Sequence, residues 1–471
     1  MNLFRMTLFA LSLSLSGMTA RAQESAANRP RGPEIVNLTL HRQAATRPAL
    51  QFKLLPDITD QRPGNGAGLY LAASRVGPDP KAADELSGRL GDRFRDLPMD
   101  QLAASDLVSA LQPFAERLDM LDLAARREDA RWESTIRDWG AVASLAYLTD
   151  MRVNARILSL KARGQIARHD WKAAHHTLQT AFSMAHQMND RAVLIQGLIE
   201  TGIADLLLDR IVEWSGQGDA PNLYWPLTDL PAPFIDLRAI SQWEQAMVYF
   251  TYPPLSATAP EQLSAEQWKN IFAGFDRLMQ SYGQKPITPL QLSWLIASTH
   301  PKAKEALLAD GMSAAKVDSL SIDQVVGIYL FRQYVAASDD AWKDWELPLW
   351  QGAGRVPILN SDWETRRERE AENPFLALIP MVNNARYQFA RVDRKVCALR
   401  IIESIRDFAA SHEGHFPGSL DELTTLPVSI DPVTGKPFPY RLDGNTAVLE
   451  SLPENPKYPA TGTQYHLTIA H

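Results

Sequence analysis

Cysteine is almost missing from this chain. Of 471 residues only Cys397 carries a thiol, so no internal disulfide can form. A fold without such staples must hold through its core, which a chain of this length can bury. Positive charge is also in short supply: 48 Lys and Arg stand against 55 Asp and Glu, giving a formal charge of -7, with no basic run. That balance argues against nucleic acid as a partner. After the first residues no segment reaches about 18 uninterrupted apolar positions, so no membrane-spanning helix is expected. Also absent are a Gly-rich phosphate loop, a paired-cysteine motif and a nucleophile elbow. No catalytic, cofactor-binding or metal-ligating residues are therefore assigned, no cofactor is expected, and the protein reads as not an enzyme.

What is present begins with the first 22 residues, MNLFRMTLFALSLSLSGMTARA. A basic Arg5, an apolar run from Met6 to Leu15 and the ending Ala20-Arg21-Ala22 have the form of a secretory signal peptide cleaved before Gln23. Cleavage removes Arg5 and Arg21 and takes the formal charge from -7 to -9. No Cys follows the site, which excludes a lipoprotein, and the product is expected to be periplasmic or extracellular. Residues 23–34 are polar and Pro-containing, a disordered leader.

The length predicts two or three domains. Residues 35–79 read as a short β-containing segment, because Ile35 to Leu40 and Leu50 to Leu54 alternate with period two. RPGNGAG at 62–68 reads as a loop. Residues 80–359 read as a helical array. Ser264 with Gln267, Thr288 with Pro289 and Gln291, and Ser321 with Gln324 have the form of helix starts. Most of the 31 prolines fall in the connectors. Residues 360–371 (NSDWETRRERE and Ala371) form a charged linker. Residues 372–471 read as an α+β unit. Its long helix carries Phe375, Leu378, Val382, Ala385, Phe389, Val392, Val396, Leu399 and Ile402, bends at Pro380 and stops at Gly414. Ser419 with Glu422 then caps a short second helix.

Few positions suggest chemistry. Ser313-Ala-Ala-Lys316 matches the Ser-x-x-Lys of penicillin-recognising hydrolases, but no Lys-Thr-Gly element accompanies it. His412 and His415 flank Glu413, yet Gly414 ends the helix between them, so a solvated helix end fits better than a metal site. His169, His175, His176 and His186 spread over several helical faces, which does not suit a metal cluster. Trp342, Trp345 and Trp350 can form a platform for a sugar or peptide, or pack between helix ends; twelve tryptophans in the chain favour packing.

The stretch SIDPVTGKPFPYRLDGNTAVLES, residues 429–451, reads as turns and strands. Asp431-Pro432 and Gly435 make a turn, and Asp443-Gly444 closes a hairpin between alternating Phe438, Tyr440, Leu442 and Ala447, Leu449. A third strand from Tyr465 closes a small antiparallel sheet against the long helix. The competing reading makes Asp431 a calcium ligand.

Three stretches of the chain carry resemblances. Ala162, Ala174, Leu178 and Ala181 fall where tetratricopeptide repeats place small, small, large and small residues, so 157–187 resembles one degenerate repeat. GHFPGSLDEL followed by DPVTGKPFPYRL resembles the globular part of type II secretion pseudopilins, although the membrane-spanning half of their first helix is missing. PALQFKLLPDITDQRPGNGAGLYLAAS, LIQGLIETGIADLLLDRI and PNLYWPLTDLPAPFIDLR are similar to a family of exported helical proteins of unknown function, numerous in planctomycete bacteria. The resemblance implies a helical array with a small α+β end and brings no activity. The expectation is an exported, non-enzymatic scaffold whose array presents a groove to another envelope protein or peptide. The alternatives are an envelope hydrolase and an accessory of pseudopilin-like assemblies.

Overall fold

The computed structural model describes residues 32–132, 136–189, 193–281, 287–352, 369, 372–380, 385–453 and 461–470. The signal segment 1–22, nearly all of the leader 23–34 and nearly all of the linker 360–371 lie outside these residues.

The chain is mainly helical, with a small four-stranded sheet and a separate two-stranded one. Strands β1 (Glu34–Leu40), β2 (Arg62–Asn65) and β3 (Arg127–Asp129) belong to the first part, and β4 (Tyr440–Asp443), β5 (Thr446–Ser451) and β6 (Thr463–Ile469) to the last. β4 and β5 form the expected hairpin, with Gly444 at φ +58, and β6 pairs antiparallel with β5. The sheet is nevertheless not the three-stranded antiparallel one expected. β1 adds to β6 in parallel, with Leu38 opposite Leu467, giving the order β1-β6-β5-β4. A parallel pair needs a crossover, and here the whole helical array is that crossover. Ala447, Val448 and Leu449 are all buried, so β5 is covered on both faces.

Two other expectations in the first part are corrected. Leu50 to Leu54 is turn rather than strand. Its backbone carbonyls find side chains instead of a neighbouring strand: His175 Nε2 donates to Lys53 O at 2.7 Å, and Gln179 Nε2 donates to Leu55 O at 3.1 Å. RPGNGAG is not a free loop, because Arg62 and Asn65 pair with Arg127 and Asp129. Helices begin already at Ala67.

The principal helices are α1 (Ala67–Ala73), α2 (Pro80–Phe94), α3 (Leu107–Ala110), α4 (Ala115–Ala125), α5 (Tyr147–Ala167), α6 (Trp171–His186), α7 (Leu194–Ser215), α8 (Leu237–Thr251), α9 (Ala265–Ser281), α10 (Pro289–Ala309), α11 (Ile322–Trp342) and α12 (Ala385–Ser411). α5 and α6 pack closely along their length, and α5 also meets α2 and α7. Their junction is local chemistry. His169 takes φ +58, its N–H bonds Ile166 O and the Asp170 N–H bonds Gln165 O, which closes α5 in a Schellman arrangement. The Asp170 carboxylate then accepts from Ala173 N and starts α6. Ala162, Ala174, Leu178 and Ala181 are all buried. α9, α10 and α11 form a second cluster, with complete capping boxes at Thr288/Gln291 and Ser321/Gln324.

The long helix of the last part is divided: Pro374–Leu378 is a 3₁₀ turn and α12 starts at Ala385. Its burial is not confined to one stripe, since Arg386, Arg394, Glu403 and Arg406 are buried too. α12 packs chiefly on α7 and meets the sheet at β5. Arg406 explains how so much charge is accommodated. Its Nη1 donates to both Glu403 oxygens at 3.0 and 2.8 Å, Nη2 to Ala220 O at 2.7 Å, and Nε to His41 O at 3.1 Å. Glu403 also accepts from Leu223 N and Ser215 Oγ. Segment 41–45, the end of α7 and α12 are thus bound through one fully partnered buried ion pair. The helix ends as expected around Gly414 (φ +86), whose N–H reaches back to Ala409 O. Ser419 makes no side-chain cap: Leu420–Glu422 is a single 3₁₀ turn, and Glu422 accepts from Gly418 N.

Candidate functional site

A concave surface lies along α5. Three concavities adjoin there, of about 690, 260 and 320 Å³, and Lys161 lines all three. The largest is bounded by the 50–60 loop and by α6 residues Lys172, His175, His176 and Thr177. The second opens between α3, α4 and α5, with an aliphatic wall of Leu107, Val108, Leu111 and Leu118. The third lies between α4 and α6.

Local sequence builds this surface. At Gly164 an added Cβ would stand 2.8 Å from Leu107 Cδ2, so glycine lets α3 lie against α5. Lys161, Gly164 and Arg168 follow one another on the same side of α5 at helical spacing. Among the described residues, neither the Lys161 ammonium nor the Arg168 guanidinium has a hydrogen-bond or ion-pair partner. Lys172, exposed on the wall of the largest concavity, likewise has none, whereas three other cations nearby are committed. Lys53 pairs with Asp57 at 3.2 Å, and Arg163 with Glu213 at 2.7 Å. Arg126 binds Asp122 at 2.6 Å and His176 at 2.9 Å.

Asp122 and His176 form the most structured wall. Burial alone would raise the Asp122 carboxyl, but hydrogen bonds from His176 and Thr180 and the Arg126 charge hold it below its usual value. Burial, which for an imidazole favours the neutral form, lowers His175 as well, despite its bond to Lys53 O. These residues fix the wall's shape; among the described residues lining it, no hydroxyl, thiol or amine stands beside a free base as a nucleophile requires.

The candidates raised by the sequence have other employments. Ser313 is a helix cap, accepting from Lys316 N at 3.3 Å, so the Ser-x-x-Lys match is the start of a short helix. His412 stacks on Phe408 and its Nδ1 bonds Phe408 O, while His415 Nδ1 bonds His412 O. Both finish α12. His169 pairs with Asp219 at 2.5 Å, His176 with Asp122, and His186 lies against Phe234. The four α5–α6 histidines therefore have separate surroundings. No group of three His, Cys, Asp or Glu suited to a metal occurs among the described residues. Trp342 and Trp345 are buried edge to face and Trp350 covers Gly435, so the three do not form one platform.

Asp431 sits in a tight turn. Its carboxylate meets Arg394 at 2.6 Å and accepts from Val433 N at 2.9 Å, while its carbonyl accepts from Gly435 N at 2.8 Å. The groove residues Lys161 and Arg168 were missed by sequence reasoning. Their signal was KARGQIAR, two cations seven residues apart around a glycine in an apolar helix.

No protein-family model matches the chain, and neither a curated protein nor a solved structure matches it.

Proposed function

We propose that this is an exported, non-enzymatic scaffold that holds a segment of another envelope protein, or a peptide, in the groove along α5. One observation carries the reading: three concavities adjoin at Lys161, and the groove's walls are built from committed side chains while its central cation is left free. A rigid, preformed concave surface of this size suits recognition. Export is supported by the composition of residues 1–22, and no helix among the described residues is long and apolar enough to cross a membrane.

The finer reading takes α5 and α6 as one tetratricopeptide-type pair, supported by burial of Ala162, Ala174, Leu178 and Ala181. It takes the last hundred residues as pseudopilin-like, supported by the order of α12, the Asp431 turn and the β4–β5 hairpin. The addition of β1 to that sheet and the burial of α12 in the array favour a scaffold over a subunit of a pilus-like assembly.

The test is photo-crosslinking in the producing cell, with benzoylphenylalanine in place of Val108 or Leu123 on the groove and of Leu290 outside it. All three side chains are exposed. The proposal expects one discrete adduct from the groove positions and none from position 290. Equal, heterogeneous labelling at all three would overturn it.

A further inference from the structure

We infer that the groove selects an extended acidic peptide, with two carboxylates three residues apart, one on Lys161 and one on Arg168. The inference rests on the proposed groove and adds to it the chemistry of the occupant.

Lys161 is half-buried, on the floor where the three concavities meet. Asp119 and Asp122 line the same concavities, but Lys161 forms an ion pair with neither. Arg168 closes the same side of the second concavity, its Nη1 3.4 Å from where a Cβ at Gly164 would stand. Between them the helix presents Gly164 and the Gln165 amide, so no bulky side chain separates the two charges.

The spacing is definite. Seven residues of α-helix rise about 10 Å. An extended chain in the polyproline II form has three residues per turn and advances about 3.1 Å per residue, so side chains three residues apart share a face and are separated by about 9 Å. Acid-x-x-acid in an extended peptide therefore matches the two cations, whereas the same pair one turn apart on a helix would span only about half that distance. The facing wall narrows the choice further. Leu107, Val108, Leu111 and Leu118 offer an aliphatic surface for a residue between or beside the acids. Asp119 lines both smaller concavities and disfavours a peptide that is acidic throughout. Arg also takes carboxylates in a two-pronged geometry, which a phosphate-free acidic peptide satisfies.

The experiment is selection from a displayed library of linear nonapeptides on the purified mature chain at low salt. Wild type is expected to enrich Asp or Glu pairs three apart next to an aliphatic residue. A consensus peptide should lose about tenfold in affinity when both acids become amides, and a similar amount with Lys161→Ala plus Arg168→Ala. Lys161→Glu should reverse the preference towards basic peptides, a result that general unfolding cannot mimic. No enrichment, or enrichment without acidic excess, overturns the inference. Crosslinking of enriched peptides to benzoylphenylalanine at position 108 separates the two levels. Peptides that label it but lack acids leave the groove standing and refute this occupant. Acidic peptides that never label it refute both.

Discussion

Arg394 Nη2 and Asp431 Oδ2 stand 2.6 Å apart, with 4% and 2% of their side chains exposed. This contact ties the DPVTG turn to the middle of α12, thirty-seven residues earlier. The pair is incompletely satisfied on one side, since Arg394 Nε and Nη1 have no partner among the described residues. Removing only the carboxylate leaves a buried cation uncompensated. Asp431→Ala is therefore expected to cost about 3–5 kcal/mol in urea unfolding. Arg394→Met together with Asp431→Ala should cost less than Asp431→Ala alone. Calcium is expected to leave the melting temperature of wild type unchanged, because Arg394 and Val433 N–H already occupy both carboxylate oxygens. A chelator-reversible rise would show that Asp431 exchanges partners.

Four residues further on, Gly435 holds φ +67 directly beneath Trp350. An added Cβ would approach the indole Cδ2 to 2.7 Å, so both backbone and space require glycine. Gly435→Ala should destabilise by about 1–3 kcal/mol. Trp350→Ala in the same chain should recover the steric part and leave the conformational part. Full recovery in the double variant would mean that the positive φ costs nothing here.

These two contacts show where sequence reasoning reaches and where it stops. The Asp443-Gly444 hairpin and the boxes at Thr288/Gln291 and Ser321/Gln324 were legible because their hydrogen bonds join residues a few positions apart. The pairing of β1 with β6 was not, because nothing local in Glu34–Leu40 names a partner at the other end of the chain. Leu50–Leu54 misled for the same reason: alternation predicts exposed ladder groups, and His175 and Gln179 satisfied them instead. The heptad-like stripe of α12 hid its buried charges, since Glu403 and Arg406 look like a solvated i, i+3 pair until Ala220, Leu223 and His41 close around them. Lys161 and Arg168 read as an ordinary wet helix face. Only the approach of α3 and α4 makes that face concave.

The α5–α6 contact can be tested through its small residues. Ala174 and Ala181 are both fully buried in α6. Ala174→Leu or Ala181→Leu should overpack the site and cost about 1–3 kcal/mol, read as a lowered urea midpoint. Unchanged midpoints in both variants would mean that the helices can separate without loss.

Export makes a prediction in mass. Protein recovered from the envelope or medium of the producing cell is expected to begin at Gln23, without Arg5 and Arg21. Intact-mass spectrometry decides it; a product that retains Met1 in the cytoplasm refutes export.

The buried acids set a pH dependence. Glu244 accepts from Leu194 N at 2.6 Å, and Asp393 accepts from Phe234 N at 2.9 Å. Burial outweighs those bonds and pushes the two carboxyls up to about 7 and about 6. Glu200, with no partner for either oxygen among the described residues, is also raised by burial and by Asp236. In the unfolded chain such groups release their protons at their ordinary values, 4.5 for Glu and 3.8 for Asp. Between those values and the folded ones only the unfolded chain has ionised, so stability falls as pH rises. For Glu244 the loss accumulates from pH 4.5 to about 7 and then stops growing; for Asp393 it runs from 3.8 to about 6. Each amounts to on the order of 3 kcal/mol. Glu244→Gln keeps an acceptor for Leu194 N and has no proton to release. It should flatten the decline between pH 4.5 and 7 and leave the protein more stable than wild type at neutral pH. Urea unfolding at half-unit pH steps checks this. Superimposable wild-type and variant curves would mean that Glu244 is already ionised in the fold, held there by groups other than Leu194 N–H.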